Sequence, residues 1–456
     1  MSQNAFSSLP LPAAQLLNLS QLGYREMTAV QAAVLPFILA GQDVQVKART
    51  GSGKTAAFGI ALLDKLLPAT SAVQAMVLCP TRELADQVSQ ELRRLARFQQ
   101  NIKILTLCGG QPMGQQLDSL IHAPHIVVGT PGRIQEHLRK KTLQLGKLRL
   151  LVLDEAERML DMGFHAAIDD VISYLPSERQ TLLFSATWRA EIEKIGGSIQ
   201  QHPLHIDLSD EDAAAIEQHF FETCNKQRLP LLVSLLGYYQ PANCLVFCNT
   251  RLECQRVCDA LNARGIAALA LHGSLEQRER SEVLVKFSNG SARVLVASDV
   301  AARGLDIKEL AMVINYELAW DVQTHIHRIG RTNRAGAQGL AVSLCSAAEM
   351  QRAHDIEDYL KMTLSWQATA KIVNTGNAMP ESDRVTIRIE GGRQAKIRPG
   401  DILGALTAEG MLTATDVGKI DLFPACAYVA IRKSCAQRAF LSIKIKGKKC
   451  KISWLM

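Results

Sequence analysis

Short apolar runs separated by amphipathic stretches organise most of the chain. In the N-terminal part these runs are 44–48, 75–79, 104–108, 126–129, 150–153 and 181–184. They are aliphatic and nearly continuous, which predicts strands buried on both faces of a parallel sheet. Between the second and third runs, Leu84, Val88, Leu92 and Leu95 recur at helical spacing within residues 81–98, the signature of an amphipathic helix. Strands alternating with helices predict an α/β doubly wound domain.

The acidic stretch 207–215 reads as a linker, after which the alternation resumes. Strands are predicted over 244–247, 267–271, 294–297, 312–315 and 340–344, with helices over 251–263 and 275–287. This is a second α/β domain of similar size, and no short-period repeat relates the two. A Thr/Asn/Gly-rich break at 369–382 precedes a different order: strand 385–389, helix 401–407, strands 419–423 and 427–431, helix 434–441 and strand 449–454. That order is βαββαβ, the split-βαβ arrangement. The domains expected are 1–207, 216–366 and 383–456.

Composition agrees with this division. The 456 residues suffice for about three domains of roughly 150 residues each. With 47% apolar and 21% charged residues the chain is of the soluble globular class. No stretch approaches the ~18 uninterrupted apolar residues of a membrane span. No Lys or Arg precedes Arg25, so the charged start of a secretory signal is lacking. The 11 cysteines, an odd number, suit reduced thiols in a cytoplasm. Cys244/Cys248 and Cys254/Cys258 each share one face of an element and form no CxxC, so they read as small core residues rather than zinc ligands. His325 and His327 sit among arginines that would repel a metal ion.

Charge adds a partner. Residues 383–456 carry 14 Lys and Arg against six acids, a net +8, and the chain as a whole is +7. Residues 1–382 are therefore −1, and all of the excess positive charge lies in the last segment. A compact basic module on a neutral body points to a polyanion, most simply a nucleic acid.

Candidate chemistry begins after run 44–48, where the chain reads Ala48-Arg49-Thr50-Gly51-Ser52-Gly53-Lys54-Thr55 and enters a helical pattern. Ala48 stands where a P-loop has its first Gly. Gly51 and Gly53 let backbone N–H groups turn inward around a polyphosphate, Lys54 can reach the β- and γ-phosphates, and the Thr55 hydroxyl can ligate Mg²⁺. The apolar strand 150–153 ends in Asp154-Glu155-Ala156-Glu157. Asp154 there suits Mg²⁺, and Glu155 suits polarising a water. In the second domain, His327-Arg-Ile-Gly-Arg331-Thr-Asn-Arg334 offers two arginines three apart. That domain has no P-loop of its own, so Arg331 and Arg334 are expected to act as arginine fingers on the nucleotide of the first.

These segments, with Pro80-Thr-Arg-Glu-Leu-Ala85, Thr130-Pro-Gly-Arg133, Ser185-Ala-Thr187, Asn249-Thr250, 277–280 and Ala301-Ala-Arg-Gly-Leu-Asp306, occur in the order found in the DEAD-box RNA helicases. The chain resembles that family over nearly all of residues 1–365, and the appended basic module narrows the resemblance to its bacterial DbpA-type branch. The resemblance implies two RecA-like domains that close together on ATP·Mg²⁺ and single-stranded RNA. It implies an adenine-reading segment at Gln31 with Tyr24 and Phe6 upstream. Ser185 and Thr187 would couple hydrolysis to RNA, and Asp306 would contact the ribose. Thr81, Arg82, Gly110, Thr130, Arg133, Gln277 and Arg280 match positions that grip the RNA sugar-phosphate, contacts that give affinity without reading sequence. For the branch, the resemblance implies 23S ribosomal RNA and large-subunit assembly intermediates as partners, in the cytoplasm, with no membrane role.

The chain departs from the family's pattern in places. Glu157 stands where the family has Asp; the extra methylene keeps the charge and is expected to shift its bond to the Ser185–Thr187 segment. Met27 and Ala29 replace prolines, and Asn333 replaces a small residue between the two arginines. An RNA-recognition sheet usually presents aromatics for stacking, whereas the first strand here offers Arg388 and the third only Tyr428. Binding by the module is therefore expected to rest on charge, from Arg388, Lys396, Arg398, Lys419, Lys444, Lys446, Lys448 and Lys449. The absence of a coiled coil or leftover apolar segment favours a monomer. Two other readings fit the same residues: a DNA-directed helicase, and an RNA chaperone whose ATP site only switches conformation.

Overall fold

The computed structural model describes residues 4–48, 51–188, 190–208, 216–302, 310–332, 339–372, 379–408, 412–438 and 442–455. The chain divides into two compact units, 1–213 with 304–306, and 214–303 with 307–456.

The first unit holds strands β1 (Val44–Lys47), β2 (Ala75–Leu78), β3 (Ile104–Leu107), β4 (Ile126–Gly129), β5 (Leu150–Leu153), β6 (Gln180–Ser185) and β7 (Leu204–Asp207). All pair in parallel, in the order β3-β4-β2-β5-β6-β1-β7. The apolar runs are continuous because each strand feeds two cores. Val77 and Val152 pack with Phe58 and Leu92 on one face, and Met76, Leu78, Leu151 and Leu153 with Ile134, Met159 and Ile192 on the other. Each such side chain, fully buried, contributes about 1.5–3 kcal/mol. The helix expected over 81–98 runs Arg82–Leu95 and tightens into a 3-10 turn at Ala96–Phe98. Strand β7 was not legible as an apolar run, since its residues alternate between half-buried and exposed at the sheet edge.

The second unit repeats the architecture. Strands β8 (Glu217–Glu222), β9 (Cys244–Cys248), β10 (Ala268–Leu271), β11 (Val294–Ser298), β12 (Met312–Asn315), β13 (Leu340–Cys345) and β14 (Trp366–Gln367) lie in the order β10-β11-β9-β12-β13-β8-β14. The four predicted core cysteines are buried here and free. Strands β8 and β14 carry polar ends or only two residues, so neither shows as an apolar run.

The same unit ends in an antiparallel sheet of β15 (Arg384–Glu390), β16 (Val417–Leu422), β17 (Cys426–Arg432), β18 (Ser442–Ile445) and β19 (Lys448–Leu455), ordered β16-β17-β15-β19-β18. Ile387, Ile389, Val429, Ile431 and Ile452 face Ile402 and Leu406 of the helix Pro399–Ala408. Two expectations are corrected. A fifth strand, β18, forms a hairpin with β19 through Lys446 and Gly447, both at positive φ (50° and 77°), the conformation a two-residue hairpin loop requires. The helix expected over 434–441 is a 3-10 helix over Lys433–Arg438, a tighter turn suited to short connections; residues 439–441 lie outside the described residues.

Candidate functional site

In a parallel sheet the loops after the strands' carboxyl ends share one edge, and ligands bind there. Along that edge of the first unit the predicted residues separate by kind. Gly110 follows β3, Thr130 follows β4 and Thr81 follows β2; Asp154 follows β5, Ser185 ends β6 and the phosphate loop follows β1. Candidate RNA contacts thus occupy one half of the edge and candidate ATP contacts the other.

The phosphate loop leads into the helix Lys54–Asp64 with Gly53 at φ +93°. A Cβ there would lie 2.7 Å from the Gln31 amide nitrogen and 2.9 Å from the Thr28 hydroxyl, so both conformation and space demand glycine. Gln31 Nε2 donates to the Gly53 carbonyl (3.2 Å), and its Oε1 accepts from the Thr28 backbone N–H (3.0 Å). Thr28 in turn donates to the Ser52 carbonyl (2.8 Å). The predicted adenine-reading glutamine is therefore also the brace of the phosphate loop. Phe6 is buried edge-on against Tyr24, with ring centroids 6.1 Å apart. The Tyr24 hydroxyl donates to Glu91. Lys54 is buried, its Nζ donating to the Ala48 carbonyl (2.8 Å), and Thr55 is half-buried beside it. Arg49, Thr50, Asp306 and Arg334 lie outside the described residues.

Three carboxylates are buried together at the end of β5. Asp154 Oδ1 and Glu157 Oε1 are buried with no hydrogen-bond partner among the described residues. Burial, with the charges of Glu155 and Glu157, raises Asp154 to about 7 against the pull of Lys54. Burial and Glu155 likewise raise Glu157. Glu155 caps the next helix in the left-handed region (φ 54°) and pairs with buried Arg158 at 2.9 Å. A non-glycine residue in that conformation is held by its surroundings at some cost. Ser185 Oγ donates to Glu157 Oε2 (2.8 Å) and also lies within reach of the Thr187 carbonyl. The extra methylene of Glu157 thus leaves the link to the Ser185–Thr187 segment in place.

On the other half of the edge, Thr81 caps the helix Arg82–Leu95 through the Leu84 N–H (3.2 Å). Arg82 lies so close over Gly110 (φ +79°) that a Cβ would fall 1.8 Å from its guanidinium. Thr130 begins the helix Pro131–Arg139, and Arg133 Nη1 donates to the Gln111 carbonyl (3.2 Å).

In the second unit Gln277 opens the helix Gln277–Ser288, and Arg280 Nη2 donates to the Ala301 carbonyl (3.4 Å). Arg331 is 4% exposed. Sequence reasoning passed over Arg328, which holds this region together. Its guanidinium donates to Asp299 (2.6 and 2.7 Å), to Asn249 Oδ1 (2.7 Å) and to the Glu317 carbonyl (2.7 Å), tying the ends of β9, β11 and β12 to the helix Val322–Ile329. The available signal was its spacing of three from His325, which puts both on one face of that helix.

The terminal sheet's basic residues fall into two groups. Tyr428 is 3% exposed and donates to Glu282 Oε1 (3.1 Å) of the helix Gln277–Ser288. Lys419 donates to Ser288 (3.1 Å), and Thr386 meets Asn289 (2.9 Å) and Ser291 (2.8 Å). Arg388, opposite Tyr428 in register, shares this face. The face that carries Tyr428, with Arg388 and Lys419, is thus turned to the preceding domain. Lys444, Lys446, Lys448 and Lys449 are exposed on the β18–β19 hairpin. Lys446 reaches Asp401 (2.7 Å) and the Lys396 carbonyl (2.7 Å), which brings the hairpin beside Lys396 and Arg398.

Family models match three segments: DEAD/DEAH box helicase over residues 28–195, helicase conserved C-terminal domain over 227–336, and DbpA RNA binding domain over 386–453. The chain is 58% identical to the ATP-dependent RNA helicase DbpA of Escherichia coli, with 99% of each chain covered. It is 36% identical to the ATP-dependent RNA helicase DbpA of Bacillus subtilis, over 95% of this chain and 96% of that one. Among solved structures, S. cerevisiae Dbp5 bound to RNA and ADP BeF3 aligns with a TM-score of 0.74 at 29% identity, covering 80% of this chain and 96% of that one. The chain belongs to the DEAD-box ATP-dependent RNA helicases of the DbpA type, RNA-dependent ATPases built from two RecA-like domains and a C-terminal RNA-binding domain.

Proposed function

We propose that the chain hydrolyses ATP to separate short RNA duplexes locally, and that its C-terminal domain directs this activity to 23S ribosomal RNA during assembly of the large ribosomal subunit. The observation that carries the reading is the division of one sheet edge into a phosphate-binding half and a half lined by Arg82, Gly110 and Arg133. ATP and a single strand can then be held by one rigid sheet. The exposed lysines of the β18–β19 hairpin support RNA binding by this domain, since cations positioned this way take an RNA backbone. The domains are assigned as 1–207, 216–366 and 383–456, acting as a cytoplasmic monomer. No helix among the described residues is long and apolar enough to cross a membrane.

Residue roles follow the chemistry. Gln31, Tyr24 and Phe6 form the adenine end; Arg49 to Thr55 cradle the phosphates; Asp306 takes the ribose. Glu155 orients the attacking water, and Arg331 and Arg334 stabilise charge on the transferred phosphoryl. Ser185 and Thr187, through Glu157, relay the state of the carboxylates to the RNA half. The orphaned, buried oxygens of Asp154 and Glu157, taken with the Thr55 hydroxyl of the phosphate loop, fit a hard cation with oxygen ligands. Asp154 and Thr55 would hold Mg²⁺, which would neutralise charge on the phosphates.

ATP turnover by the full chain, measured with ribosomal RNA, unrelated RNA and double-stranded DNA, tests the reading. Stimulation by ribosomal RNA well above the other two is expected. Equal stimulation by any RNA would leave the ATPase and remove the address, and DNA stimulation would transfer the engine to another substrate.

A further inference from the structure

Gln116 is the one buried residue of the short helix Met113–Leu120, and a glutamine amide there needs partners. It has them on every side. Its Nε2 donates to the Cys108 carbonyl (2.9 Å), at the start of the loop that carries Gly110, and lies 3.4 Å from Gln111 Oε1. Its Oε1 accepts from Arg133 Nη1 (3.1 Å) and faces His137 Nε2 at 2.9 Å. The orientation is unambiguous. A guanidinium only donates and a carbonyl only accepts, so the amide oxygen must face Arg133 and the nitrogen Cys108. His137 must then carry its proton on Nε2. Its Nδ1 is 2.8 Å from Thr142 Oγ1, and the ring is fully buried. Burial and the Arg133 cation both lower the His137 pKa, in keeping with a neutral ring.

We propose that Gln116 and His137 are positioning residues that lock the loops after β3 and β4 into one RNA-gripping surface, setting Arg133 against the Gly110 loop. An apolar pair would fill the same space and bury more hydrocarbon, but it could not hold a backbone carbonyl of one loop and a guanidinium of the next at once. Arg133 completes the arrangement: Nη1 also reaches the Gln111 carbonyl (3.2 Å), and Nε is 3.2 Å from Glu136. Arg82 covers Gly110 from the third loop. The three candidate RNA contacts are therefore organised around one buried polar centre on the RNA half of the edge. The proposal rests on the assignment of Arg82, Gly110 and Arg133 to RNA.

The test is equilibrium binding of a single-stranded oligouridylate to the full chain with a non-hydrolysable ATP analogue, alongside the affinity for the analogue itself. Gln116→Met and His137→Phe are expected to weaken RNA binding by about tenfold or more, the scale of one charge-assisted hydrogen bond, with nucleotide affinity unmoved. His137→Gln, which keeps a donor toward Gln116, should recover most of the loss. Thr142→Val removes only the hydroxyl behind the ring and gives a milder version should Gln116→Met fail to fold. Unchanged RNA affinity in folded Gln116→Met or Thr142→Val, or equal losses of RNA and nucleotide affinity, would overturn the proposal. Arg133→Ala separates the two levels. If it leaves RNA binding intact, the RNA assignment itself falls; if it weakens binding while Gln116→Met does not, only the positioning role falls.

Discussion

A single buried histidine gives this protein a calculable response to acid. His325 is fully buried, packed at 6.1 Å from the Phe220 ring and near Arg328, and its Nε2 faces Gln218 Oε1 at 3.2 Å. Burial first, and Arg328 second, lower its pKa to about 3 from an ordinary 6.5. The folded chain keeps this ring neutral while the unfolded chain protonates it, so stability is complete above about pH 6.5 and is lost as pH falls toward 3. The loss can reach about 1.4 kcal/mol per pH unit from this one group. Urea unfolding between about pH 7 and pH 5 is expected to show that slope, and His325→Gln to flatten it. Arg331 is the other residue-scale case. Arg331→Ala should slow RNA-stimulated ATP turnover by about 10³-fold or more while sparing ATP affinity; stopped-flow binding beside steady-state phosphate release separates the two. At this scale the sequence singles out candidates where residue type carries chemistry, as at Lys54, Asp154 and Glu155. It was uninformative for Arg328 and Gln116, because a buried polar side chain is defined by partners that lie elsewhere in the chain.

Among elements, the β18–β19 hairpin makes the sharpest prediction. Lys444 stands opposite Lys449 in the ladder, and the Lys446-Gly447 turn projects between them. Like charges directly opposite are destabilising, so their placement is better suited to a polyanion than to the sheet. Replacing Lys444, Lys446, Lys448 and Lys449 by Ala should weaken ribosomal RNA binding and flatten the plot of log affinity against log salt. The slope should fall by roughly one unit for each phosphate that the lysines no longer neutralise. An unchanged slope would place the RNA elsewhere. The strand itself was not legible because Ser442–Ile445 is only four residues long, with two apolar positions, Ile443 and Ile445. The setting of the sheet's other face was not legible for a different reason: the Tyr428 hydroxyl is held by Glu282, far away in sequence.

At the level of the whole molecule, charge and chemistry are carried by different domains. The net charge of +8 lies in the last domain, and the phosphate loop and carboxylates lie in the first. Lys54→Ala should therefore abolish ATP turnover yet leave ribosomal RNA affinity within about twofold, as read by phosphate release and a filter-binding titration. Loss of both would contradict the separation of roles. Legible in the sequence alone is what is local or additive: apolar runs that must be buried on two faces, glycines at a tight turn after a strand, carboxylates at a strand's end, and the charge of each segment. Tertiary structure alone decided the strand order that groups β3, β4 and β2, with the candidate RNA contacts, apart from β5, β6 and β1, with the candidate ATP contacts. It alone decided the edge strands β7 and β14, the burial of Arg328 and Gln116, and the partner of Tyr428. The physical reason is common to all of these. Local backbone preference acts over a few neighbours, whereas a ladder, or a buried donor seeking its acceptor, is satisfied only by groups that folding brings from distant parts of the chain.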